Sequence, residues 1–498
     1  MRIPISLVIT GALSACTLGP DYSGPPTVGS SGSTPRSFAR STPAIAEVSP
    51  MLDHWWTSLG DPTLDELERR AIASNPTIAI AQARLRTARG AVRLERANSL
   101  PSAGPSATYI RAELPSGTLG SSDDGGGQRD SLNIYNLGFD ASWEIDLFGG
   151  QRRTIEAARA GVGAAQANVA DAQVSLTAEV ARAYVYFRNS EQQIVLARDA
   201  AAVQRQMLAL IEQRYRRGAS SDLDVERQRK EAETAEAQIL PLAADRDAYR
   251  NALAVLTGAE PGAVDASLSA PGRVPLPPAK VAIGDPTALL QRRPDIRAAE
   301  RQLAATTARI GVAEAARFPR ISFQGLIGLG GSNPSDVADL DNLIALAAPS
   351  LSWNVLDFGR GAARVEQAKG FRDEADAAYR QTVLAALRDA EDALGRFGNG
   401  RQNLSILARA RTAADRAASM MRQRYDAGTV RLIDVLDTER QRVAAEQSLA
   451  TATADFTGDY VALQKALGLG WQAAGPSGLQ FVPIFKPSPS ADEARPNR

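Results

Sequence analysis

The sequence has 498 residues, and its 56 lysines and arginines balance its 56 aspartates and glutamates. This balance argues against a nucleic-acid-binding protein, which needs a basic surface. The only histidine, His54, precedes two tryptophans and is typical of a packing residue, so chemistry that needs several histidines is disfavoured. The sequence contains no nucleophile–base pair, phosphate-binding loop or metal-ligand cluster. We therefore expect neither an enzyme nor a cofactor-binding protein.

The first 15 residues predict a signal peptide, with a charged start, a short apolar stretch and small residues before Cys16. An ordinary signal peptide would leave this single thiol unpaired in an oxidising compartment. Leu13-Ser14-Ala15-Cys16 instead resembles the bacterial lipobox, in which the cysteine carries a covalent lipid and becomes the first mature residue. Thr17, in place of an aspartate, favours the outer membrane. No apolar run of about 20 residues occurs, so we expect no transmembrane helix.

The mature chain is predicted to be a duplicated unit. Trp143 recurs as Trp353, 210 positions later, whereas Pro76 recurs as Pro294, 218 positions later. The difference in length falls between these landmarks, where a loop is expected. The predicted segments are a lipidated strap at 16–50, a first repeat at 51–260, a linker at 261–286, a second repeat at 287–470 and a tail at 471–498.

Each repeat is predicted to contain a β-hairpin, at about 103–145 and 320–356. In the best-defined strand, apolar and polar residues alternate strictly, which indicates one apolar face. Trp143 and Trp353 lie near strand ends, as in the aromatic girdle of a membrane β-barrel; a soluble hairpin packed on a core is the alternative. Four strands cannot close a barrel in lipid, so several copies must share one. Three copies give twelve strands, whereas two give eight and an interior too narrow for most solutes.

A proline-free stretch follows each hairpin and predicts one long helix, at 150–217 and 360–427. Apolar and small residues recur at heptad spacing along the first of these stretches, and a helix of this length spans about 100 Å. Each long helix is predicted to turn at a glycine, Gly218 or Gly428, and to come back as a return helix. The return helices are predicted at 220–257 and 430–467.

Two aspartates follow the second turn. Asp434 and Asp437 are three residues apart, which places both on one face of the return helix. Threefold symmetry would bring six carboxylates together if that face points inward. Such a ring favours cations and resists anions, because the negative charges are crowded. A solvated outer face of the helix is the alternative.

A series of motifs extends in order over essentially the whole mature chain. These motifs are Cys16-Thr17-Leu18-Gly19-Pro20-Asp21-Tyr22, Trp55-Trp56 with Asp61-Pro62, Trp143 to Gly149 with Arg152-Arg153, Arg292-Arg293-Pro294-Asp295-Ile296-Arg297, Gly311-Val312-Ala313 with Phe318-Pro319, and Lys465-Ala466-Leu467-Gly468 with Trp471. The sequence thereby resembles the outer-membrane efflux lipoproteins of the TolC/OprM class, which includes NodT-like proteins.

The resemblance implies a mainly α fold with a membrane β-barrel, assembled as a homotrimer. A trimeric twelve-stranded barrel in the outer membrane would continue into a twelve-helix α-barrel across the periplasm. Members of the class accept substrates from an inner-membrane pump, usually of the resistance-nodulation-division (RND) type, through a periplasmic adaptor protein. Outer-membrane lipids would surround the barrel.

The same resemblance implies roles for residues at the turns. The two aspartates of the second return helix match the constriction aspartates of the family. The closed tip in the family is also held by a tyrosine before the turn, an arginine after it and an aspartate of the first repeat. Tyr425 and Asp224 match two of these positions, for which a plain helix end is the alternative. Val430 occupies the arginine position, and Arg431 lies one residue further on.

We predict a passive channel-tunnel for drugs or other small toxic compounds, lipid-anchored in the outer membrane and extending into the periplasm. The energy for transport would come from the pump. One alternative is the exit duct of type I protein secretion, against which the lipobox and the Arg-Pro-Asp-Ile-Arg motif at 293–297 weigh. The other is a lipid-anchored periplasmic coiled-coil scaffold without a pore.

Overall fold

The structure is a computed structural model that describes residues 17–28, 38–40, 45–46, 53–114, 130–284 and 286–471. Cys16, the predicted signal peptide, much of the predicted strap and nearly all of the predicted tail lie outside the described residues. The described chain is mostly helical and contains one extended β-sheet, as predicted. Within it, every helix is too short or too polar to span a bilayer.

Two short helices open the first repeat, α1 (Pro62–Ser74) and α2 (Pro76–Asn98). The side chains of Asp61 and Asn75 cap them by accepting hydrogen bonds from backbone N–H groups of the first turn. A proline occupies the first position of each helix, where a missing N–H leaves no hydrogen bond unmade. The sequence therefore fixes both helix starts locally.

In the part of the chain that the structure describes, six strands form two sheets. The strands are β1 (Ile45–Ala46), β2 (Ser102–Leu114), β3 (Asp130–Ile145), β4 (Val281–Ala282), β5 (Arg320–Gly331) and β6 (Leu343–Ser352). The shorter sheet pairs β1 with β4 in parallel and joins the strap to the inter-repeat linker. The longer sheet is antiparallel in the order β2-β3-β5-β6, so the hairpin of one repeat lies beside the hairpin of the other.

The strand register repeats with the duplication. Ser102 of β2 lies opposite Ser142 of β3. Moving the first residue by 218 positions and the second by 210 gives Arg320 and Ser352, and this is the pairing observed between β5 and β6. The two spacings found in the sequence are therefore the spacings of the structural repeat.

The sheet is open at both edges within one chain. β3 and β5 join the two hairpins, with Ala141 opposite Gly325. β2 and β6 each pair on one side only among the described residues. Unpaired backbone groups at such an edge bind readily to another strand.

The second hairpin is shorter than predicted. It was expected to reach residue 356, but β6 ends at Ser352. The next residues form a turn that caps the following helix, because the Asp357 carboxylate accepts hydrogen bonds from the N–H groups of Gly359 (2.9 Å) and Gly361 (2.7 Å). Trp353 therefore lies beyond the strand.

Two helices of 67 residues each dominate the molecule and extend about 100 Å from the sheet. The helices that follow α2 are α3 (Gly150–Arg216), α4 (Asp222–Ala237), α5 (Ile239–Leu256), α6 (Asp265–Leu268), α7 (Pro286–Arg292), α8 (Pro294–Ala315), α9 (Arg360–Asp426) and α10 (Leu432–Ala466), of which α3 and α9 are the two long ones. Near the sheet, α2, α3, α8 and α9 lie side by side in the same order as the strands they connect.

The main core lies about halfway along the long helices. Phe187 and Phe397, which occupy the same position in the two repeats, are both almost completely buried in it. The Phe397 ring stacks on Phe456 of the second return helix at 4.9 Å. Buried aromatic rings of both repeats thus lie in one core at the same level of the long helices.

The first return helix was predicted as one helix over 220–257, and this was wrong. The structure has two helices, α4 and α5, that meet at Gln238. Pro241 explains the break, because it has no N–H to donate to the carbonyl of Ala237 and its ring crowds that carbonyl. The second return helix, α10, contains no proline and is continuous.

Candidate functional site

The turns at Gly218 and Gly428 have the same geometry. Both glycines have a φ of 73°, in the left-handed region where a side chain would be strained. In each turn the glycine N–H donates to a tyrosine carbonyl (2.8 Å) and the following N–H donates to an arginine carbonyl (2.9 Å). This hydrogen-bond pattern ends a helix and reverses the chain. The two predicted tips are therefore built alike.

Asp224 and Asp434 cap the return helices that follow these turns. The Asp224 carboxylate accepts hydrogen bonds from the Ser221 hydroxyl (2.7 Å) and N–H (3.0 Å). The Asp434 carboxylate accepts from the Arg431 guanidinium (3.0 and 3.2 Å) and N–H (3.1 Å). Hydrogen bonds from these side chains, and then from the backbone, lower the pKa of both aspartates.

Each predicted constriction aspartate has an arginine partner. Arg431 binds Asp434, and the guanidinium of Arg440 donates to the Asp437 carboxylate at 2.9 Å. These four side chains together carry no net charge. Arg440 lies three residues from Asp437, which is the spacing of a helical ion pair, and it reduces the cation preference predicted from the carboxylates alone.

The repeat equivalent of Asp437 is a residue of the opposite charge. Arg227 occupies the same position in the first repeat, 210 residues earlier. It makes no ion pair within the described part of the chain. A ring of tips would therefore alternate carboxylate and guanidinium groups at this level, a feature that the sequence repeat could have revealed.

Tyr425, Asp224 and Arg431, at or next to the positions that hold the closed tip in the family, form the predicted lock. The structure brings these three residues only partly together. Asp224 and Arg431 line one cavity of about 500 Å³ between the two return helices, together with Arg214, Arg227 and other residues. The Tyr425 ring is partly exposed, and its hydroxyl makes no hydrogen bond to either partner in the described chain. Within a single copy, Arg431 is engaged with Asp434 instead.

At the sheet end, the two predicted interface tryptophans make equivalent hydrogen bonds. The Trp143 indole donates to the Ser99 carbonyl (3.2 Å), and the Trp353 indole donates to the Arg317 carbonyl (3.0 Å). Both rings remain substantially exposed. Each tryptophan thus presents an apolar ring to the surroundings and fixes its polar edge to the helix below, as interfacial tryptophans do.

An aromatic contact also joins the two repeats at the sheet end of the helices. Phe148, which follows β3, stacks on Phe318, which precedes β5, at 4.8 Å. The repeat equivalent of Phe148 is Phe358, which is 91% exposed and has no such partner among the described residues. The equivalent of Phe318 is Leu100, which is also exposed.

The strap is fixed to the helices by Arg153, a residue whose role sequence reasoning missed. Its guanidinium is 3% exposed and donates to the carbonyls of Leu18 (3.0 Å) and Gly19 (3.1 Å). It also binds the carboxylates of Asp21 (2.6 Å) and Glu156 (2.8 Å). Burial opposes its charge, but these carboxylates outweigh burial and raise the pKa of Arg153. The strap is thus fixed beside the sheet at Leu18, which is two residues from the predicted lipid site in the sequence.

Within the described residues, no three His, Cys, Asp or Glu side chains are arranged to hold a metal ion. The groups at the tips are caps and ion pairs on the ends of long helices. The fold and these tips define a class of protein: a duplicated helical hairpin in which an open β-sheet continues into long, closely packed helices.

The chain matches the model of the family "Outer membrane efflux protein" over residues 67–259 and 286–469. It is 28% identical over 467 residues to the outer membrane protein OprJ of Pseudomonas aeruginosa, covering 94% of this chain and 95% of OprJ. It is 30% identical over 474 residues to the toluene efflux pump outer membrane protein TtgF of Pseudomonas putida, covering 94% and 96%.

A solved structure of the outer-membrane channel OprN superposes with a TM-score of 0.83, at 33% identity, over 92% of this chain and all of that one. The chain therefore belongs to the outer membrane efflux protein family and has the fold of TolC-like channels. It is an outer-membrane protein that extends into the periplasm and serves efflux. The predicted family and location are confirmed.

Proposed function

We propose that this protein is a passive duct through which drugs or other small toxic compounds leave the cell. The observation that carries the proposal is the joined architecture of an open sheet and helices of about 100 Å. Strands of 10 to 16 residues are long enough to cross a bilayer. Relatives named for efflux pumps support the class of cargo.

The duct closes as a homotrimer, because each copy contributes four of twelve strands. The internal repeat predicts how neighbouring copies pair. Moving Ala141 forward by 210 positions and Gly325 back by 218 converts their observed pairing into Leu351 of one copy opposite Ala107 of the next. Both residues lie on the open edges, in β6 and β2. The same operation would continue α9 onto α2 and give a twelve-helix tunnel.

The aromatic contact near the sheet supports this pairing. The same shifts place the exposed Phe358 of one copy against the exposed Leu100 of the next, where Phe148 meets Phe318 within a copy. Two exposed apolar side chains would then be buried together. The trimer contact thereby accounts for a ring that is 91% exposed in the single chain.

The gate lies at the tips, with Asp434 and Asp437 as its constriction. Because each carboxylate holds an arginine, the gate favours cations less strongly than six free carboxylates would. The lock among Tyr425, Asp224 and Arg431 would form between copies or on closure, after Arg431 leaves Asp434.

The duct carries out no reaction of its own. An RND pump in the inner membrane supplies the energy, and a periplasmic adaptor delivers the cargo to the tips. Cys16 carries a covalent lipid in the outer membrane, and Arg153 fixes the chain two residues later, at Leu18. Trp143 and Trp353 mark the membrane interface, and lipids of the outer membrane surround the barrel.

Single-channel recording tests the function. Purified full-length protein in planar bilayers should give stable conductance steps. Asp434→Ala with Asp437→Ala should alter the cation-to-anion permeability ratio, whereas Asp199→Ala, an exposed position of α3 about 25 Å from the turn at Gly218, should not. An absence of conductance contradicts the duct, while conductance with unchanged selectivity contradicts only the gate.

The alternatives give different results in cells. A scaffold without a pore would show neither conductance nor heat-modifiable β-structure in membrane extracts. A type I secretion duct would conduct, but crosslinking in cells would capture a secretion ATPase rather than an RND pump. Recovery of the pump and an adaptor on the tips supports the proposal.

A further inference from the structure

A basic groove lies between α2 and α3 just below the sheet. It has a volume of about 630 Å³, and its lining contains five arginines, two valines and no carboxylate. None of these arginines makes an ion pair or side-chain hydrogen bond within the described chain. The lining residues are Arg86, Arg89, Val92, Arg93, Arg96, Arg159 and Val162.

Four of the five arginines that line the groove lie on one face of α2. Arg86, Arg89, Arg93 and Arg96 are spaced by three, four and three residues, which places them on one face of α2. Arg159 faces them from α3 across a floor that includes the buried Val92. Five clustered positive charges repel one another, so an anion that binds among them relieves the repulsion.

The duplication indicates that the groove lies on the outer surface of the tunnel. The residue of α8 that corresponds to Arg93 is Gly311, 218 positions later. Gly311 packs directly against Leu18 and Gly19 of the strap. The strap leads to the proposed lipid site and therefore runs outside the tunnel. In the second repeat this outer face is covered by the chain itself, whereas in the first repeat it carries arginines.

The groove also lies at the level of a lipid headgroup. Arg96 is two residues from the end of α2 and Arg93 is five, which puts them about 3 and 8 Å below that end. The Trp143 indole binds the Ser99 carbonyl at this end, and β2 begins at Ser102. Headgroups occupy about 5–8 Å beyond the hydrocarbon, so extended arginine side chains at these positions reach their phosphates.

We propose that this groove binds the phosphate headgroup of an anionic phospholipid in the periplasmic leaflet of the outer membrane. The inference rests on the proposed placement of the sheet in that membrane. Guanidinium groups match phosphate oxygens with paired hydrogen bonds, and clustered arginines beside a membrane span favour anionic headgroups. Arg93 and Arg96 make the main contacts. Arg86 and Arg89, which lie about 13–18 Å below the helix end, add long-range attraction.

Lipid titration in detergent tests the proposal on the full-length protein. Native mass spectrometry would count bound dioctanoyl phosphatidylglycerol, dioctanoyl phosphatidylcholine and inorganic phosphate on separate samples. We expect phosphatidylglycerol to bind preferentially and Arg93→Gln with Arg96→Gln to weaken it about 10- to 30-fold. Arg86→Gln with Arg89→Gln should weaken it less. The control, Arg409→Gln with Arg416→Gln, changes two exposed arginines of α9 far from the sheet and should have no effect.

Equal binding of phosphatidylglycerol by the wild type and the Arg93/Arg96 variant would overturn the proposal. Equal binding of phosphatidylcholine would overturn it too, and binding of inorganic phosphate as tight as that of the lipid would indicate a site for a free anion instead. The single-channel conductance of each variant keeps this test separate from the proposed function. A wild type that binds lipid but does not conduct would refute the duct and leave the lipid site standing.

Discussion

The attachment of the strap offers a sharp test, because it depends on one buried arginine. Arg153→Met keeps the length and apolar stem of the side chain but removes all its donors. The two strap carbonyls then lose about 1 kcal/mol each. Asp21 is 91% exposed, so water replaces most of what it loses and its ion pair contributes below about 1 kcal/mol. Glu156 lies on α3 with Arg153 and does not hold the strap. The strap should therefore detach about 2–3 kcal/mol more easily, a factor of roughly 30–150.

Hydrogen exchange measures this directly. The Leu18 N–H donates to the Phe148 carbonyl at 3.3 Å and should exchange faster by about the same factor in the Arg153→Met variant. Amides of α3 and α8 should keep their protection, because the helix contacts are unchanged. Arg159→Met, an exposed arginine of the same helix without strap contacts, serves as the control. Unchanged exchange at Leu18 would refute the role assigned to Arg153.

Two further predictions concern charge. Arg440→Gln frees the Asp437 carboxylate and should raise the cation-to-anion permeability ratio roughly two- to five-fold, whereas Asp437→Asn frees Arg440 and should lower it; equal shifts in one direction would contradict the pairing. Burial, and then the nearby Asp65, raise the pKa of the fully buried Glu68. The folded protein therefore keeps a proton that the unfolded chain releases above a pKa of about 4.3. The free energy of unfolding falls as the pH rises from this value toward the raised pKa of the folded protein. Glu68→Gln should raise the melting temperature at pH 8 and change it little near pH 4; a gain independent of pH would contradict this.

The sequence predicted the family, the location and a mainly helical fold with a β-sheet, because the motifs and the internal repeat extend over most of the chain. The spacings of 210 and 218 reappear in the strand register, since a duplicated sequence builds duplicated contacts. The bounds of the long helices differ from the prediction by one residue at one end, where a glycine ends each helix. Local signals of this kind survive in the folded chain.

Two of the features that the sequence analysis missed depend on neighbouring residues in the sequence, and the third depends on a contact between distant parts of the chain. Pro241 was visible in the sequence, and its effect on the return helix was overlooked. The ion pair of Arg440 with Asp437 could likewise have been predicted from their spacing of three residues in a helix. The role of Arg153 was not, because its partner Asp21 lies 132 residues away and its repeat equivalent, Ala363, has no side chain of this kind. Contacts between strap and helix depend on the assembled fold.

Cysteine crosslinking between strands tests whether copies of this chain join edge to edge in a closed ring. Residues opposite each other in neighbouring strands have Cβ atoms about 4.5–5.5 Å apart, close enough for a disulfide after small adjustment. Leu351→Cys with Ala107→Cys should therefore link copies. The control, Leu351→Cys with Arg111→Cys, moves the second thiol about 13 Å along the strand.

Each variant would be oxidised in membranes and separated under denaturing, non-reducing conditions. A closed ring of three copies should give dimers and trimers, and nothing larger, for the Leu351/Ala107 pair and almost none for the control. Crosslinking that stops at the dimer, that continues beyond the trimer, or that is as strong in the control would contradict it.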